Sequence, residues 1–161
     1  MEGLVAADPS LHLVRRTITR APELGGEDYE AVSVAAFNEM ATGGQFVVHW
    51  GAHDLQYGIP ASIQTVLAGG QSCLANFSRT ALLAGDAAFD RFCVLNITAK
   101  PETLASRLKL RDRESEAQIA KRLAQATKPL PDGLNVMTIS NDGALDDTVA
   151  NALSLLQPVR V

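Results

Sequence analysis

The chain has 161 residues, of which 47% are hydrophobic and 5% aromatic, and it carries a net charge of −4. This length suits one domain with a substantial core, and we expect a single domain over residues 1–161. The acidic balance argues against a nucleic-acid surface, which needs a basic face. No apolar run approaches the roughly 18 residues of a membrane span, and Met1–Asp8 lack the pattern of a signal peptide. We therefore expect a cytoplasmic protein with no nucleic-acid or membrane partner.

Short apolar runs alternate with helical patterns along the chain. The apolar runs predict strands at residues 11–18, 45–50, 72–77, 91–98 and 134–140. The helical patterns fall at residues 34–40, 61–68, 78–88, 102–110, 116–126 and 145–156, and residues 22–30 read as a loop. Ser33 is a candidate cap for the first of these helices, and Gly43-Gly44 closes it. Strands separated by helices predict an α/β fold with a parallel sheet and flanking helices.

Polar side chains follow three of the predicted strands. In parallel sheets, ligands bind beyond the carboxyl ends of the strands. The side chains at these ends are Arg16 and Arg20; Asn76, Ser78 and Arg79; and Asn141 and Asp142. Their convergence at one edge of the sheet predicts a binding site.

The run Val14–Arg20 interleaves three arginines with two threonines. Arginine forks match phosphate oxygens bidentately, and threonine hydroxyls can complete such a cradle. The alternative is a strand end with solvated arginines. Asn76–Arg79 has the same two interpretations: an anion contact at a helix start, or a helix cap followed by a surface arginine.

The segment around Tyr57-Gly58 predicts a turn that presents a phenol to a phosphate, with simple packing of Tyr57 as the alternative. His49 and His53 are four residues apart, but Gly51 disfavours a helix there and no carboxylate has the spacing of a helical zinc motif. We therefore predict no metal site.

A second group of arginines lies on the predicted helices 102–110 and 116–126. Arg107 and Arg111 share one helix face, and Arg122 returns on the next helix, as in a lid that clamps a polyphosphate. The alternative is a solvated helix pair, because acidic residues interleave with these arginines. The sequence shows no recognisable pattern of a nucleophile with its base. The arginines, hydroxyls and amides that it does contain suit the positioning of phosphates.

These motifs together resemble the guanylate-kinase-like fold and, within it, the ribose 1,5-bisphosphate phosphokinase family of phosphonate degradation. The resemblance extends from Leu13 almost to the C-terminus. The residues that carry it are Val14–Arg20, Gly26–Asp28, Glu30–Ser33, Phe37, His49-Trp50, Ala52-His53, Tyr57–Pro60, Asn76–Arg79, Ile97–Ala99, Leu104–Glu114, Arg122-Leu123 and Asn141–Gly143.

The resemblance implies ATP-dependent phosphorylation of ribose 1,5-bisphosphate to 5-phosphoribosyl 1-pyrophosphate, with Mg²⁺. It implies that Arg20, Tyr29 and Tyr57 bind the acceptor's phosphate. From their positions after the predicted strands, we expect Arg16, Asn76, Ser78 and Arg79 to bind the substrate as well. The resemblance further implies that Arg107, Arg111 and Arg122 are the catalytic lid and phosphate clamps. Asn141 and Asp142 would lie by the adenine.

Departures from guanylate kinases favour a bisphosphorylated sugar over GMP. Val48 stands where an acid holds guanine, and Ile59 replaces a threonine, so guanine's donors would find no partner. Arg16 replaces a serine and adds a cation for another phosphate, whereas Glu23 replaces a phosphate arginine. Asp54 stands where the phosphokinases usually have glycine, which affects the shape of that loop.

The sequence contains no Gly-x-x-x-x-Gly-Lys-Ser/Thr motif, which cradles phosphates in such kinases. We therefore expect the first strand and the P-loop of the fold to be missing, through a truncated start or in a degenerate paralogue. The chain as written is expected to have little kinase activity and either poor stability as a monomer or strand donation in a homodimer. A noncatalytic paralogue that binds a phosphate ligand and a guanylate or nucleoside monophosphate kinase are the alternatives.

Overall fold

The computed structural model describes residues 1–21, 27–110, 120, 123–124 and 128–157. The chain groups into two compact units, Met1–Phe92 and Cys93–Val161. Within the described ranges, no helix combines the length and apolar character needed to cross a membrane. The single domain over residues 1–161 stays a prediction.

The first unit alternates helices with short strands. Its elements are α1 (Glu2–Ala7), β1 (Leu11–Leu13), β2 (Arg16–Ile18), β3 (Tyr29–Ala31), α2 (Val34–Thr42), β4 (Phe46–Ala52), β5 (Leu55–Pro60), α3 (Ile63–Ala68), β6 (Ser72–Leu74), a 3₁₀ turn (Arg79–Ala81) and α4 (Leu82–Ala88).

The strand predicted over residues 11–18 is two strands that belong to different sheets. β1 pairs with β6 in parallel, and the Val14 amide still donates to the carbonyl of Leu74 at 2.9 Å. From Arg16 onward the chain pairs instead with β3 in parallel and with β5 antiparallel. The change of partner places Arg16 at the junction of the two sheets, which a continuous apolar pattern does not reveal.

The second sheet of this unit has the strand order β3-β2-β5-β4 and is mixed. The predicted parallel pairing is present between β2 and β3, but β4 and β5 form an antiparallel hairpin that the sequence patterns did not predict. The hairpin turns at His53 and Asp54, whose φ angles are 53° and 60°. Two successive residues in the left-handed region are typical of a two-residue hairpin turn, which usually contains asparagine or glycine.

The predicted turn at Tyr57-Gly58 is therefore wrong, because both residues lie inside β5. Tyr57 pairs with Trp50 across the hairpin, and Gly58 pairs with His49. Gly58 does not serve a turn: a Cβ at this position would lie 2.5 Å from ring atoms of Phe46. The glycine is needed because an aromatic ring covers the strand there.

The helix predicted after Ser33 is confirmed. The Ser33 hydroxyl oxygen accepts a hydrogen bond from the Ala36 amide at 3.1 Å, which satisfies a donor of the first turn. The helix ends at Thr42, and Gly44 follows with a φ of 70°. The helix predicted from Ser78 starts later, because the 3₁₀ turn comes first and α4 begins only at Leu82.

A buried apolar cluster supports the hairpin from below. Its members, which are at most 5% exposed, are Val14, Val48, Ile59 and Ile63. The partly buried rings of Trp50 and Phe77 pack against this cluster. Burying large side chains is worth about 1.5–3 kcal/mol each, so the cluster fixes the hairpin on which Tyr57 lies.

The second unit contains β7 (Val94–Thr98), α5 (Pro101–Leu110), β8 (Val136–Ser140) and α6 (Leu145–Leu156). β7 and β8 pair in parallel from Val94↔Val136 to Thr98↔Ser140, as predicted. The predicted helices at 102–110 and 145–156 are confirmed within one residue. The helix predicted at 116–126 falls mainly on residues outside those the structure describes.

Candidate functional site

Arg16 begins β2 and is buried, with 7% of the residue exposed. Its Nε donates to Oε2 of Glu27 at 3.2 Å, and its Nη2 donates to Oε1 of the same carboxylate. Its Nη1 donates to the carbonyl oxygen of Asn76 at 3.0 Å. All three guanidinium nitrogens therefore have protein partners, and the carboxylate compensates the buried charge.

Glu27 is the acceptor at the centre of this polar cluster, which we call the Arg16 cluster and define as Arg16, Glu27 and Asn76. Its Oε2 also accepts a hydrogen bond from Nδ2 of Asn76 at 3.2 Å. The Glu27 side chain is 24% exposed, compared with 9% for the side chain of Arg16. The carboxylate is thus held from the protein side and still reaches solvent.

Aromatic rings form a floor under the Arg16 cluster. The Arg16 guanidinium carbon lies 5.0 Å from the ring centre of Tyr57 and 5.9 Å from that of Trp50. Trp50 stacks on Tyr57 at 5.5 Å and on Phe77 at 5.2 Å. The cross-strand pairing Trp50↔Tyr57 sets this arrangement, and such cation–π contacts are worth about 0.5–2 kcal/mol.

Two polar atoms of this floor have no hydrogen-bond partner among the described residues. Among the described residues none forms a hydrogen bond with the hydroxyl of Tyr57, and the buried Nε1 of Trp50 has no acceptor either. The packing alternative for Tyr57 therefore accounts for its ring, while its hydroxyl remains available to a ligand.

Arg20 and Tyr29 lie together beside the Arg16 cluster. The Arg20 guanidinium carbon is 4.4 Å from the ring centre of Tyr29, and β3 places Tyr29 opposite Arg16. The hydroxyl of Tyr29 donates to the carbonyl of Ala21 at 2.5 Å. Its proton is engaged by the main chain, so Tyr29 can offer Arg20 a ring to lie on more readily than it can offer a phosphate a donor.

Ser78 and Arg79 lie at the start of the 3₁₀ turn. Ser78 occupies the capping position, but its hydroxyl contacts the hydroxyl of Thr80 at 3.1 Å and caps no amide. A turn of three residues has too few aligned peptides to provide the anion site of a full helix. Asn76 thus contacts Arg16 and Glu27 directly, whereas the hydroxyl of Ser78 contacts Thr80.

The second unit brings together three other predicted residues around the loop after β8. Nη1 of Arg107 donates to the carbonyl of Asn141 at 2.6 Å, and its Nη2 donates to that of Gly143 at 3.3 Å. Oδ1 of Asn141 accepts from the hydroxyl of the buried Thr148 at 3.1 Å. Helix α5, strand β8 and helix α6 thus all hold this loop.

Asp142 fastens the same loop to the start of α5. Its carboxylate accepts from the Ser140 hydroxyl at 2.6 Å and from the Lys100 amide at 2.8 Å. Hydrogen bonds from the hydroxyl of Ser140, the amide of Lys100 and the side chain of Thr103 lower the pKa of Asp142 to about 2. The carboxylate therefore has a structural role that the sequence did not suggest.

Arg111 and Arg122 lie outside the described residues, so the arginine-rich lid stays a prediction. In the part of the chain that is described, no three histidine, cysteine, aspartate or glutamate side chains group as metal ligands would. His49 is exposed on β4, and His53 lies in the hairpin turn.

Sequence reasoning did not select Glu27 and Trp50 as site residues. Glu27 lies in an acidic loop whose residues look alike until Arg16 is placed beside one of them. Trp50 lies on the same face of β4 as the buried Val48, so its position indicates a core residue, and only the pairing with Tyr57 places it under the guanidinium. For Glu27, one general signal was available in the sequence. A buried arginine is generally paired with a carboxylate, so one of the acids in the loop could be expected beside Arg16.

The fold is that of the guanylate kinases. A guanylate kinase from Anaplasma phagocytophilum superposes with a TM-score of 0.71 over 99% of this chain and 82% of its own, at 16% sequence identity. This likeness confirms the predicted α/β fold class with parallel strands and flanking helices. No family model matches the chain.

Relatives at higher identity define the family. The chain is 46% identical to the ribose 1,5-bisphosphate phosphokinase PhnN of Ruegeria sp. over 161 residues. This match covers 99% of this chain and 85% of that protein. It is 42% identical over 149 residues to the protein of the same name from Agrobacterium fabrum, covering 92% and 81%. The chain belongs to the ribose 1,5-bisphosphate phosphokinase family, a family of phosphotransferases, as its motifs predicted.

A third relative is a longer protein with two activities in its name. The bifunctional ribose 1,5-bisphosphokinase-thymidine phosphorylase of Cupriavidus pinatubonensis is 39% identical over 143 residues, which are 89% of this chain and 24% of that protein.

Proposed function

We propose that this chain binds ribose 1,5-bisphosphate and phosphorylates it with ATP to give 5-phosphoribosyl 1-pyrophosphate and ADP. An oxygen of the acceptor's 1-phosphate attacks the γ-phosphorus, the new phosphoanhydride bond forms, and the bond to the β-phosphate oxygen breaks. Such transfers depend mainly on alignment and charge neutralisation. The observation that carries the proposal is the group formed by two arginine–tyrosine contacts, Arg16 on Tyr57 and Arg20 on Tyr29, on paired strands in a chain of this family.

The chemistry of this cluster suits a phosphorylated sugar. The Tyr57 hydroxyl, which no described residue engages, can donate to a phosphate oxygen, and the Arg20 guanidinium on the ring of Tyr29 supplies a cation. Val48 and Ile59 are 5% and 0% exposed in the apolar core. They therefore offer no partners to a guanine base, which favours a sugar acceptor over GMP.

The residues of the second unit support the binding of ATP. Arg107 holds the loop at Asn141 with two carbonyl contacts, so its partners among the described residues do not balance the positive charge of the guanidinium. A nucleotide carrying phosphates would be attracted to such a site. Mg²⁺ would accompany ATP and neutralise its phosphates, and we assign the ion no protein ligand.

The proposal is tested by incubating the purified chain with ribose 1,5-bisphosphate, ATP and Mg²⁺ and following the products by phosphorus NMR. If the chain is the proposed kinase, the diphosphate signal of 5-phosphoribosyl 1-pyrophosphate appears together with ADP, at the low rate expected of a chain without a P-loop motif, and no GDP forms when GMP replaces the acceptor. Phosphorylation of GMP in preference to the sugar would contradict the proposal.

A second candidate is a noncatalytic module that keeps the acceptor site. The observation in its favour is that the 161 residues contain no Gly-x-x-x-x-Gly-Lys-Ser/Thr motif and so lack the lysine by which that motif holds the transferred phosphate. Isothermal titration separates the two candidates. Binding of ribose 1,5-bisphosphate without product formation supports the binding module, whereas binding followed by turnover supports the kinase.

A further inference from the structure

We propose that Glu27 accepts a hydrogen bond from a ring hydroxyl of the acceptor and makes the site select ribose over deoxyribose phosphates. This inference rests on the proposed function, because it concerns the acceptor bound at the Arg16 cluster. It assigns a substrate contact to a residue that the sequence analysis did not place in the site.

The hydrogen bonds of Glu27 leave part of its carboxylate unused. A carboxylate has about four acceptor positions. Two on Oε2 are taken by Nε of Arg16 and Nδ2 of Asn76, and one on Oε1 is taken by Nη2 of Arg16. One position on Oε1 therefore remains, on a side chain that is still 24% exposed.

The charge of the carboxylate decides which part of the acceptor can approach it. A phosphate group would be repelled by Glu27, since like charges at contact distance are unfavourable even near a protein surface. The hydroxyls on C2 and C3 of the ribose ring can instead donate a proton. They are the neutral donors of ribose 1,5-bisphosphate, so they fit the open acceptor position on Oε1.

The protein prepares Glu27 for this contact before the sugar arrives. Arg16 and Asn76 fix the carboxylate from three directions, and the aromatic floor fixes Arg16 in turn. A group that is already ordered loses little conformational entropy on binding, so more of the hydrogen-bond energy appears as affinity. In this arrangement Arg16 is a positioning residue, and its charge serves Glu27 directly.

The test compares ribose 1,5-bisphosphate with its 2-deoxy and 3-deoxy analogues by isothermal titration into the full chain. Hydrogen bonds to charged groups are worth about 1.5–3 kcal/mol, which corresponds to roughly 10- to 150-fold in affinity. We expect the wild-type chain to bind one of the two analogues at least about 10-fold more weakly than the ribose compound. In Glu27→Gln this ratio should fall to about 3 or less.

Asp28→Asn is the matched control, because it removes the same charge one residue away. Asp28 pairs with Arg15 at 3.0 Å on the surface, with side chains that are 79% and 59% exposed. We expect this variant to keep the wild-type ratio. If the affinity ratio between the ribose compound and its deoxy analogue fell in Asp28→Asn as well, the effect would be a general electrostatic one. That result would overturn the assignment to Glu27.

Other outcomes also overturn the inference. Equal affinity of the wild-type chain for all three sugars would overturn the inference. This outcome needs no variant, so it applies even if Glu27→Gln fails to fold. Tighter binding of every sugar by Glu27→Gln would show that the carboxylate competes with a phosphate for Arg16. If the chain does not bind ribose 1,5-bisphosphate at all, the proposed function itself is rejected, and the inference with it.

Discussion

Arg16 in the first unit and Arg107 in the second both hold main-chain carbonyls, but they do so in different electrostatic settings. Arg16 donates to one carbonyl and to both oxygens of Glu27, over aromatic rings. Arg107 donates to two carbonyls of the loop 141–143, and within the described residues no carboxylate pairs with it. The charge of the first arginine is balanced by its carboxylate partner, whereas the partners of the second among the described residues are neutral carbonyls.

The difference shows that an arginine in a phosphate-handling protein does not have to bind phosphate itself. A neutralised, buried arginine orders a carboxylate and so favours ligand groups that donate protons. An arginine held by neutral carbonyls orders a loop and can still attract anions. The sequence alone had given Arg16 and Arg107 the same role of contacting phosphate.

The largest effect on this comparison is expected from Glu27→Ala. Removing the carboxylate leaves the Arg16 guanidinium buried without its counter-charge, and breaking one side of a buried pair costs about 3 kcal/mol or more. The free energy of unfolding, measured by urea denaturation, should fall by that amount. Asp28→Ala breaks only an exposed pair and should cost less than about 1 kcal/mol. Equal losses in the two variants would show that Arg16 does not depend on Glu27.

A smaller loss is expected from Arg107→Met. The substitution keeps much of the aliphatic stem but removes both donors from the loop 141–143, which we expect to cost about 1.5 kcal/mol. Lys109→Met, on the exposed side of the same helix, should change stability by less than about 0.5 kcal/mol. A larger loss than that of Glu27→Ala would reverse the comparison between the two arginines.

The hairpin turn offers a stabilising change. Asp54 has a φ of 60°, a conformation that glycine adopts without the steric cost of a Cβ. Asp54→Gly should therefore raise the free energy of unfolding by about 0.5 kcal/mol, and Asp54→Ala should lower it by about 1 kcal/mol. Denaturation of the two variants side by side provides the check. If alanine were tolerated as well as glycine, the turn would not have the left-handed backbone described above.

The smallest effect concerns the pH dependence of the loop around Asp142. Its hydrogen bonds lower the pKa from 3.8 to about 2, so the unfolded chain binds this proton more readily than the folded chain does. The stabilisation is therefore complete above a pH of about 4 and is lost as the pH falls towards about 2. The stability difference between wild type and Asp142→Asn should shrink over this interval. A difference that stays constant down to pH 2 would contradict the role given to the carboxylate.

The sequence predicted best where the signal is local. The helix after Ser33 and the helix at 145–156 follow from caps and apolar spacing, and both are confirmed. The hairpin was missed because His53-Asp54 carries neither the asparagine nor the glycine that usually marks such a turn. The glycine that looked like a turn signal, Gly58, instead makes room for the ring of Phe46.

The site was predictable in its residue types but not in its pairing. Arg16, Arg20, Tyr57 and Asn76 were expected near one another, and the structure places them in one unit with direct contacts to the same cluster or to β3 beside it. Which of several acids in the loop would reach Arg16 depends on the path of the chain in three dimensions. Periodicity and composition contain no information on such a choice.

The two-residue turn of the hairpin also constrains how this region can change during evolution. Side chains alternate between the faces of a strand, and the turn sets which residue of β5 lies opposite Trp50. Inserting or deleting one residue at 53–54 would carry Tyr57 to the opposite face and replace it under Arg16 with a neighbour. Without a compensating bulge, the hairpin can lengthen or shorten only in steps of two, while substitutions at the turn itself leave the floor of the site intact.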